Sequence, residues 1–234
     1  MKTKICKIIF IIISIFVFLP SCGDKDDKEI WKQPTDVGFI VDYNRSPGQS
    51  GKLIFTNGNI VLANFSFDGK RVQGDDVYFS NAFPSGLNIV FDPNTPVASL
   101  DFDIPQGTYT KIEISFETFG VNDDNHIVFE GTYERSMHNN YPVRFEFKTK
   151  ILQTIIAKNS SGSAEITLNK DVPVKPKIIL DPIFWFNPVS QSIINSAELV
   201  DIGGTSTILI NDTCNENIYD IIVGRINTGS AITF

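Results

Sequence analysis

"KIEISFETF", residues 111–119, places Ile112, Ile114 and Phe116 on one side of a two-residue repeat and Lys111, Glu113, Ser115 and Glu117 on the other. Only an extended chain segregates apolar from polar side chains at that period, so the stretch reads as a strand with one wet face. "VRFEFK", residues 143–148, repeats the pattern with Val143, Phe145 and Phe147. Shorter versions occur in "NFSFD", "DVYFS", "NIVFD", "IVFEGTY", "AEITL" and "TILI". Asn57-Gly58, Asp68-Gly69 and Ser161-Gly162 read as turns between them. Many short strands with frequent turn signals predict a mainly β fold, an antiparallel β-sandwich.

The C-terminal third departs from this period. Nothing before residue 188 has a helical repeat, but Asn215 to Ile226 puts Ile218, Ile221, Ile222 and Ile226 on one side of a 3.6-residue period. Thr213 with Glu216 three later has the form of a capping box, and Gly229 reads as a stop. A second short helix is expected within Val189 to Ala197, after Pro188. The expected organisation is a β-sandwich over 34–150 and a smaller strand-plus-helix portion over 151–234, an α+β extension with one or two short helices. One continuous domain over 34–234 is the alternative.

At the N-terminus, Lys2, Lys4 and Lys7 precede an apolar run, Ile8 to Leu19, interrupted only by Ser14. A run of that length is shorter than the ~20 residues of a membrane-spanning helix and fits a secretory signal over 1–21. Leu19, Pro20, Ser21 and Cys22 resemble a bacterial lipobox, which implies that Cys22 becomes the first mature residue and carries the lipid. "GDKDDKE" then reads as a charged tether, expected over 22–33. It resembles the acidic export signal of surface lipoproteins of Bacteroidota, which implies a lipid anchor at the bacterial outer membrane.

Removal of residues 1–21, which carry three Lys and no acid, takes the formal net charge from −7 to −10. Nucleic-acid partners are disfavoured on that ground, since phosphate binding needs clustered cations and the mature chain has no run longer than Lys70-Arg71. Of three Cys, Cys6 leaves with the leader and Cys22 is the lipid acceptor, so Cys214 stands alone. Stability must then come from a core. Apolar residues make up 42% of the chain and nineteen are Phe.

"DIPQGTYTKIEI", residues 103–114, carries Pro105, Gly107 and Tyr109 and resembles the Pro-x-Gly-x-Tyr hairpin entry of transthyretin-like and carboxypeptidase-regulatory-like sandwich domains. The resemblance implies a sandwich. On the residues alone, Pro and Gly turn the chain and Tyr109 packs over the turn with its hydroxyl at the rim.

Residues suited to chemistry are few. His126 and His138, with Asp123 and Asp124, could ligate a metal, but their spacing matches no established site, and Asn122 to Asn125 reads as a solvated hairpin turn. Asp75-Asp76 and Asp101 with Asp103 are carboxylate pairs, and a glycosidase needs only two, but at strand ends such carboxylates read as solvated rims rather than as an acid/base pair. Cys214 beside Thr213 reads as a small buried hydrophobe. No cofactor motif is present. "DPIFWFNP", residues 181–188, offers Phe184, Trp185 and Phe186 either as a platform for a sugar ring or as a shield where the tail docks on the sandwich. The expected function is a lipid-anchored, non-enzymatic binding or adhesion module for an extracellular glycan or protein. A surface or periplasmic metal- or carboxylate-dependent hydrolase is the alternative.

Overall fold

The computed structural model describes residues 29–92, 94, 99–119, 124–137 and 139–234. The chain runs through β1 (Pro34–Tyr43), β2 (Leu53–Arg71), β3 (Val77–Phe91), β4 (Ser99–Pro105), β5 (Gly107–Thr118), β6 (Ile127–Ser136) and β7 (Asn139–Phe147). It continues through β8 (Leu152–Ile156), β9 (Ile166–Leu168) and β10 (Lys177–Leu180) to two short helices, α1 (Pro182–Phe186) and α2 (Gln191–Asn195). β11 (Val200–Ile202), β12 (Thr205–Ile210), α3 (Glu216–Val223) and β13 (Ala231–Thr233) complete it.

The protein is mainly β, and its strands form two sheets. The smaller has the order β13-β10-β1-β4, and the larger holds the other nine strands among the described residues. Pairing is antiparallel except for β1 with β10 and β12 with β7, which are parallel. Residues 151–234 are laid into both sheets: β8 and β9 pair with β5, β12 with β7, and β10 with β1. Both stretches feed one apolar cluster.

The alternation in 111–119 and 143–148 has the expected sense. Ile112, Ile114, Phe116, Val143, Phe145 and Phe147 are all buried, at no more than 2% exposure. Aromatic rings bridge the two sheets, with Phe39 on β1 lying 5.1 Å from Phe65 on β2 and Tyr43 lying 5.2 Å from Phe129 on β6. Each such buried ring contributes on the order of 1.5–3 kcal/mol, so rings rather than disulfides hold the layers together.

β2 is the spine of the larger sheet. Asn57-Gly58 and Asp68-Gly69 are not turns but lie inside this nineteen-residue strand. Both glycines answer to close approach. A Cβ on Gly58 would stand 2.2 Å from the carbonyl oxygen of Val128, and one on Gly69 would stand 2.5 Å from the Tyr109 ring. A bulge between Phe55 and Asn57 restores the inward phase, so that Leu53, Phe55, Ile60 and Leu62 all face the core.

β5 and β6 do not form the hairpin expected around Asn122–Asn125, of which residues 122 and 123 lie outside the described residues. Both run antiparallel to β2 along one edge, β5 beside residues 62–71 and β6 beside residues 53–60. The exchange occurs at Val61. Its N–H donates to the His126 carbonyl at 2.8 Å, and its own carbonyl accepts from the Phe119 N–H at 2.7 Å.

The Pro105–Tyr109 stretch is likewise not a hairpin. β4 pairs with β1 and β5 with β2, so Gln106 is the corner where the chain leaves one sheet for the other. Gly107 takes φ +142°, and Tyr109 is fully buried, its hydroxyl donating to the Pro105 carbonyl at 2.6 Å instead of reaching the rim. Burial pushes its pKa up to about 12, against a smaller opposing pull from Arg71. Residues 30–33, expected in the tether, are held to this corner. The Gln106 side chain donates to the Ile30 carbonyl, the Gln106 N–H donates to the Gln33 carbonyl, and Arg71 donates to the Trp31 carbonyl.

The tail helix is present but shorter than Asn215–Ile226 and differently capped. Asn215, at φ 53°, is its N-cap without a side-chain cap bond, and the helix ends at Gly224 rather than Gly229. Thr213 caps nothing. The Asn211 side chain organises the approach instead, accepting from the N–H groups of Thr213 and Cys214 at 3.0 and 2.8 Å. Ile218, Ile222 and Ile226 are buried as the stripe requires, and Ile221 is half-buried.

Candidate functional site

The outer face of the larger sheet carries two adjoining depressions of about 340 Å³ each. Asn57, Glu130 and Arg144 line both. Strand register explains their meeting, because Asn57 on β2 stands opposite Glu130 on β6, which stands opposite Arg144 on β7. The bulge before Asn57 makes this possible: without the extra residue the amide would turn to the core face.

Arg144 is held between two carboxylates. Its Nε donates to Glu146 at 2.6 Å and its Nη1 donates to Glu130. Glu146 also accepts from Asn211 Nδ2 at 3.1 Å, which ties the loop before α3 to this face. Partial burial opposes ionisation of Glu146, but the bonds from Arg144 and Asn211 outweigh it and hold the carboxyl below its usual range. Two carboxyls and one guanidinium give the trio a formal excess of one negative charge, which disfavours an anionic ligand.

The rest of the lining is amide, hydroxyl and aliphatic. Asn59 and Asn88 bond each other at 3.1 Å, and Thr56, Thr205 and Thr207 stand on the other side of Arg144. Val90 and Ile202, at 45% and 40% exposure, give the two depressions apolar edges. The Asn57 Oδ1 is buried without a hydrogen-bond partner. Such an acceptor costs about 1–3 kcal/mol unless something donates to it. The surface thus presents acceptors, donors and apolar edges together, the set that a polyhydroxylated ring with a C–H face can use.

The residues singled out from sequence lie elsewhere. Phe184, Trp185 and Phe186 belong to α1, which Asp181 caps by accepting from the Phe184 N–H. Trp185 and Phe186 are buried, the indole N–H donating to the Thr228 carbonyl at 2.7 Å, so neither can stack on a ligand. Phe184 is half-buried with the Arg225 guanidinium 3.9 Å from its ring centre. Three adjacent aromatics cannot all face water, and a helical turn with a Pro start hides two of them.

Cys22, Asp123 and His138 lie outside the described residues. His126 is buried at 4% exposure, and burial lowers its pKa against opposing effects from Thr149 and Asp124. Among the described residues no group of three or more His, Cys, Asp or Glu could hold a metal ion. Asp76 pairs with Lys70 at 3.0 Å and Asp101 accepts from Ser99, so both carboxylates have local partners. Cys214 is half-buried rather than buried. Among the described residues no helix is long and apolar enough to cross a membrane.

Asn57, Glu130, Arg144, Glu146 and Asn211 were not anticipated as a group. Glu130, Arg144 and Glu146 are the outward members of the alternating strands "IVFEGTY" and "VRFEFK", but alternation alone does not say which strands are neighbours. Comparison of the chain with protein-family models, with curated proteins and with solved structures found no match.

Proposed function

We propose that this chain is a lipid-anchored protein of a bacterial outer membrane whose sandwich binds a neutral glycan without chemistry, at the face around Asn57, Glu130 and Arg144. The observation that carries the reading is the meeting of Asn57, Glu130 and Arg144 at the wall common to both depressions, flanked by the amides of Asn59 and Asn88 and the hydroxyls of Thr56 and Thr205. Glycan hydroxyls can donate to the carboxylate and exposed amide oxygens along this wall and accept from its amide N–H groups. Val90 and Ile202 supply apolar edges for the C–H face of a ring. Anchoring rests on the lipobox around Cys22 and fits a module that holds an extracellular polymer near the cell.

The test is a glycan array probed with the detergent-solubilised full chain, followed by titration of the best ligand against Asn57→Ala and Arg144→Ala. Each variant is expected to keep its thermal midpoint within a few degrees and to lose about tenfold or more in affinity, the loss of one buried polar contact. Absence of any retained glycan, or wild-type affinity in both variants, would overturn the assignment.

A further inference from the structure

We propose that the pole around Gln106 is a membrane-contact surface that rests on the lipid bilayer through Ile30, Val72 and Val172. This rests on the anchoring reading above, and three observations lead to it. Exposed aliphatic side chains converge there: Ile30, Val72 and Val172 are 45%, 60% and 53% exposed. Gln106 ties their segments together, donating to the Ile30 carbonyl at 2.7 Å, accepting from Arg71 at 2.9 Å and accepting from the Lys170 N–H at 3.3 Å. Val72 follows Arg71 directly, and Val172 closes the tight turn that contains Lys170, its N–H donating to the Asn169 carbonyl at 2.9 Å.

The length of chain between the lipid and the body is the second observation. Cys22 precedes Glu29 by seven residues, which span at most about 25 Å. β2 has nineteen residues and an extended length of about 60 Å, with Arg71 at this pole and Leu53 at the other. An acylated Cys22 therefore keeps the Gln106 pole, and not the Leu53 end, within reach of the bilayer.

The third is charge. Lys32 pairs with Glu29 at 2.9 Å and Lys70 with Asp76 at 3.0 Å, the Arg71 side chain spends its donors on the Asp75, Trp31 and Gln106 carbonyls, and Lys170 is followed by Asp171, so the pole has no net positive charge to offer anionic lipid. The contact is accordingly apolar and insensitive to salt, unlike a polybasic patch drawn to anionic lipid.

The experiment uses the full acylated chain in a Cys214→Ser background, with one polarity-sensitive fluorophore attached at Val72→Cys, Val172→Cys or Met137→Cys. Met137, 79% exposed after β6, lies toward the Leu53 end and serves as the control. In neutral phosphatidylcholine vesicles doped with head-group quencher lipid, labels at 72 and 172 should be quenched several-fold more than the label at 137, equally at low and high salt. Quenching at 72 and 172 no greater than at 137, in protein whose acylation mass spectrometry has verified, overturns the contact and leaves anchoring intact. Strong quenching that high salt abolishes overturns its apolar character. A chain found without acyl groups removes anchoring and the contact together.

Discussion

The hydroxyl of Tyr109 donates to the carbonyl of Pro105, four residues back across the corner at Gln106, and the same ring fills the space left by the absent side chain of Gly69. One side chain thus fixes both the exit from β4 and the entry to β5. Tyr109→Phe leaves the Pro105 carbonyl without that donor and is expected to cost about 1–2 kcal/mol in urea unfolding. Wild-type stability in the variant would show that the corner holds itself.

The same residue makes an alkaline signature. A phenol that ionises near pH 10 in the unfolded chain and is pushed up to about 12 in the folded one binds its proton more tightly when folded. Its contribution is complete below pH 10 and is lost as pH rises from 10 towards 12. Tyr43, Tyr133 and Tyr219 are raised for the same first reason, burial. Comparison of wild type with Tyr109→Phe therefore isolates the corner: the variant's stability should fall less steeply over that interval when followed by tyrosinate absorbance and circular dichroism.

Residues after Leu209 are structural. Ile222 is fully buried, and Ile222→Ala should cost on the order of 2–4 kcal/mol. A chain ending at Leu209 loses β13 from the smaller sheet, the Thr228 carbonyl that the Trp185 indole uses, and the Ile226 carbonyl that Gln153 uses. It should aggregate or fail to fold; a monodisperse, equally stable product in size-exclusion chromatography would refute the packing.

Asn211 and Thr213 separate two accounts of how α3 begins. Asn211→Ala removes acceptors for two backbone N–H groups and a donor to Glu146, with an expected loss of about 1–3 kcal/mol. Thr213→Ala should stay within about 0.5 kcal/mol, since its hydroxyl only donates to Asn211. Denaturant midpoints that ranked the two the other way would restore the capping box.

Cys22→Ala should abolish acylation and release the protein from membranes on fractionation. An unmodified mature N-terminus in the wild type, read by mass spectrometry, would refute the lipobox.

Strand content was readable because alternation is local: Ile112, Ile114 and Phe116 report their face whatever lies beside them. Partners were not, because the parallel pairings of β10 with β1 and of β12 with β7 join segments far apart in sequence, and no local signal names a distant neighbour. Glycine misled for a related reason. At Gly58 and Gly69 the missing side chain admits a carbonyl and a ring, whereas the same dipeptides in a hairpin would supply a turn. The helix around Trp185 was not legible because five residues starting at a proline have too few turns to display a period. The face around Asn57 escaped because its polar residues look, one strand at a time, like any solvated edge.

β1 lies between β4 and β10, paired over residues 34–40 with one and 40–43 with the other. Inter-strand hydrogen bonds stand across the strand axis. A pull on the N-terminal side of Pro34 acts along that axis, so those rungs bear the load together in shear rather than peeling apart one by one. Tension applied to the opposite sheet would cross the interlocked rings of Phe39 and Phe65 before reaching β1, so the two layers would carry a load as one unit.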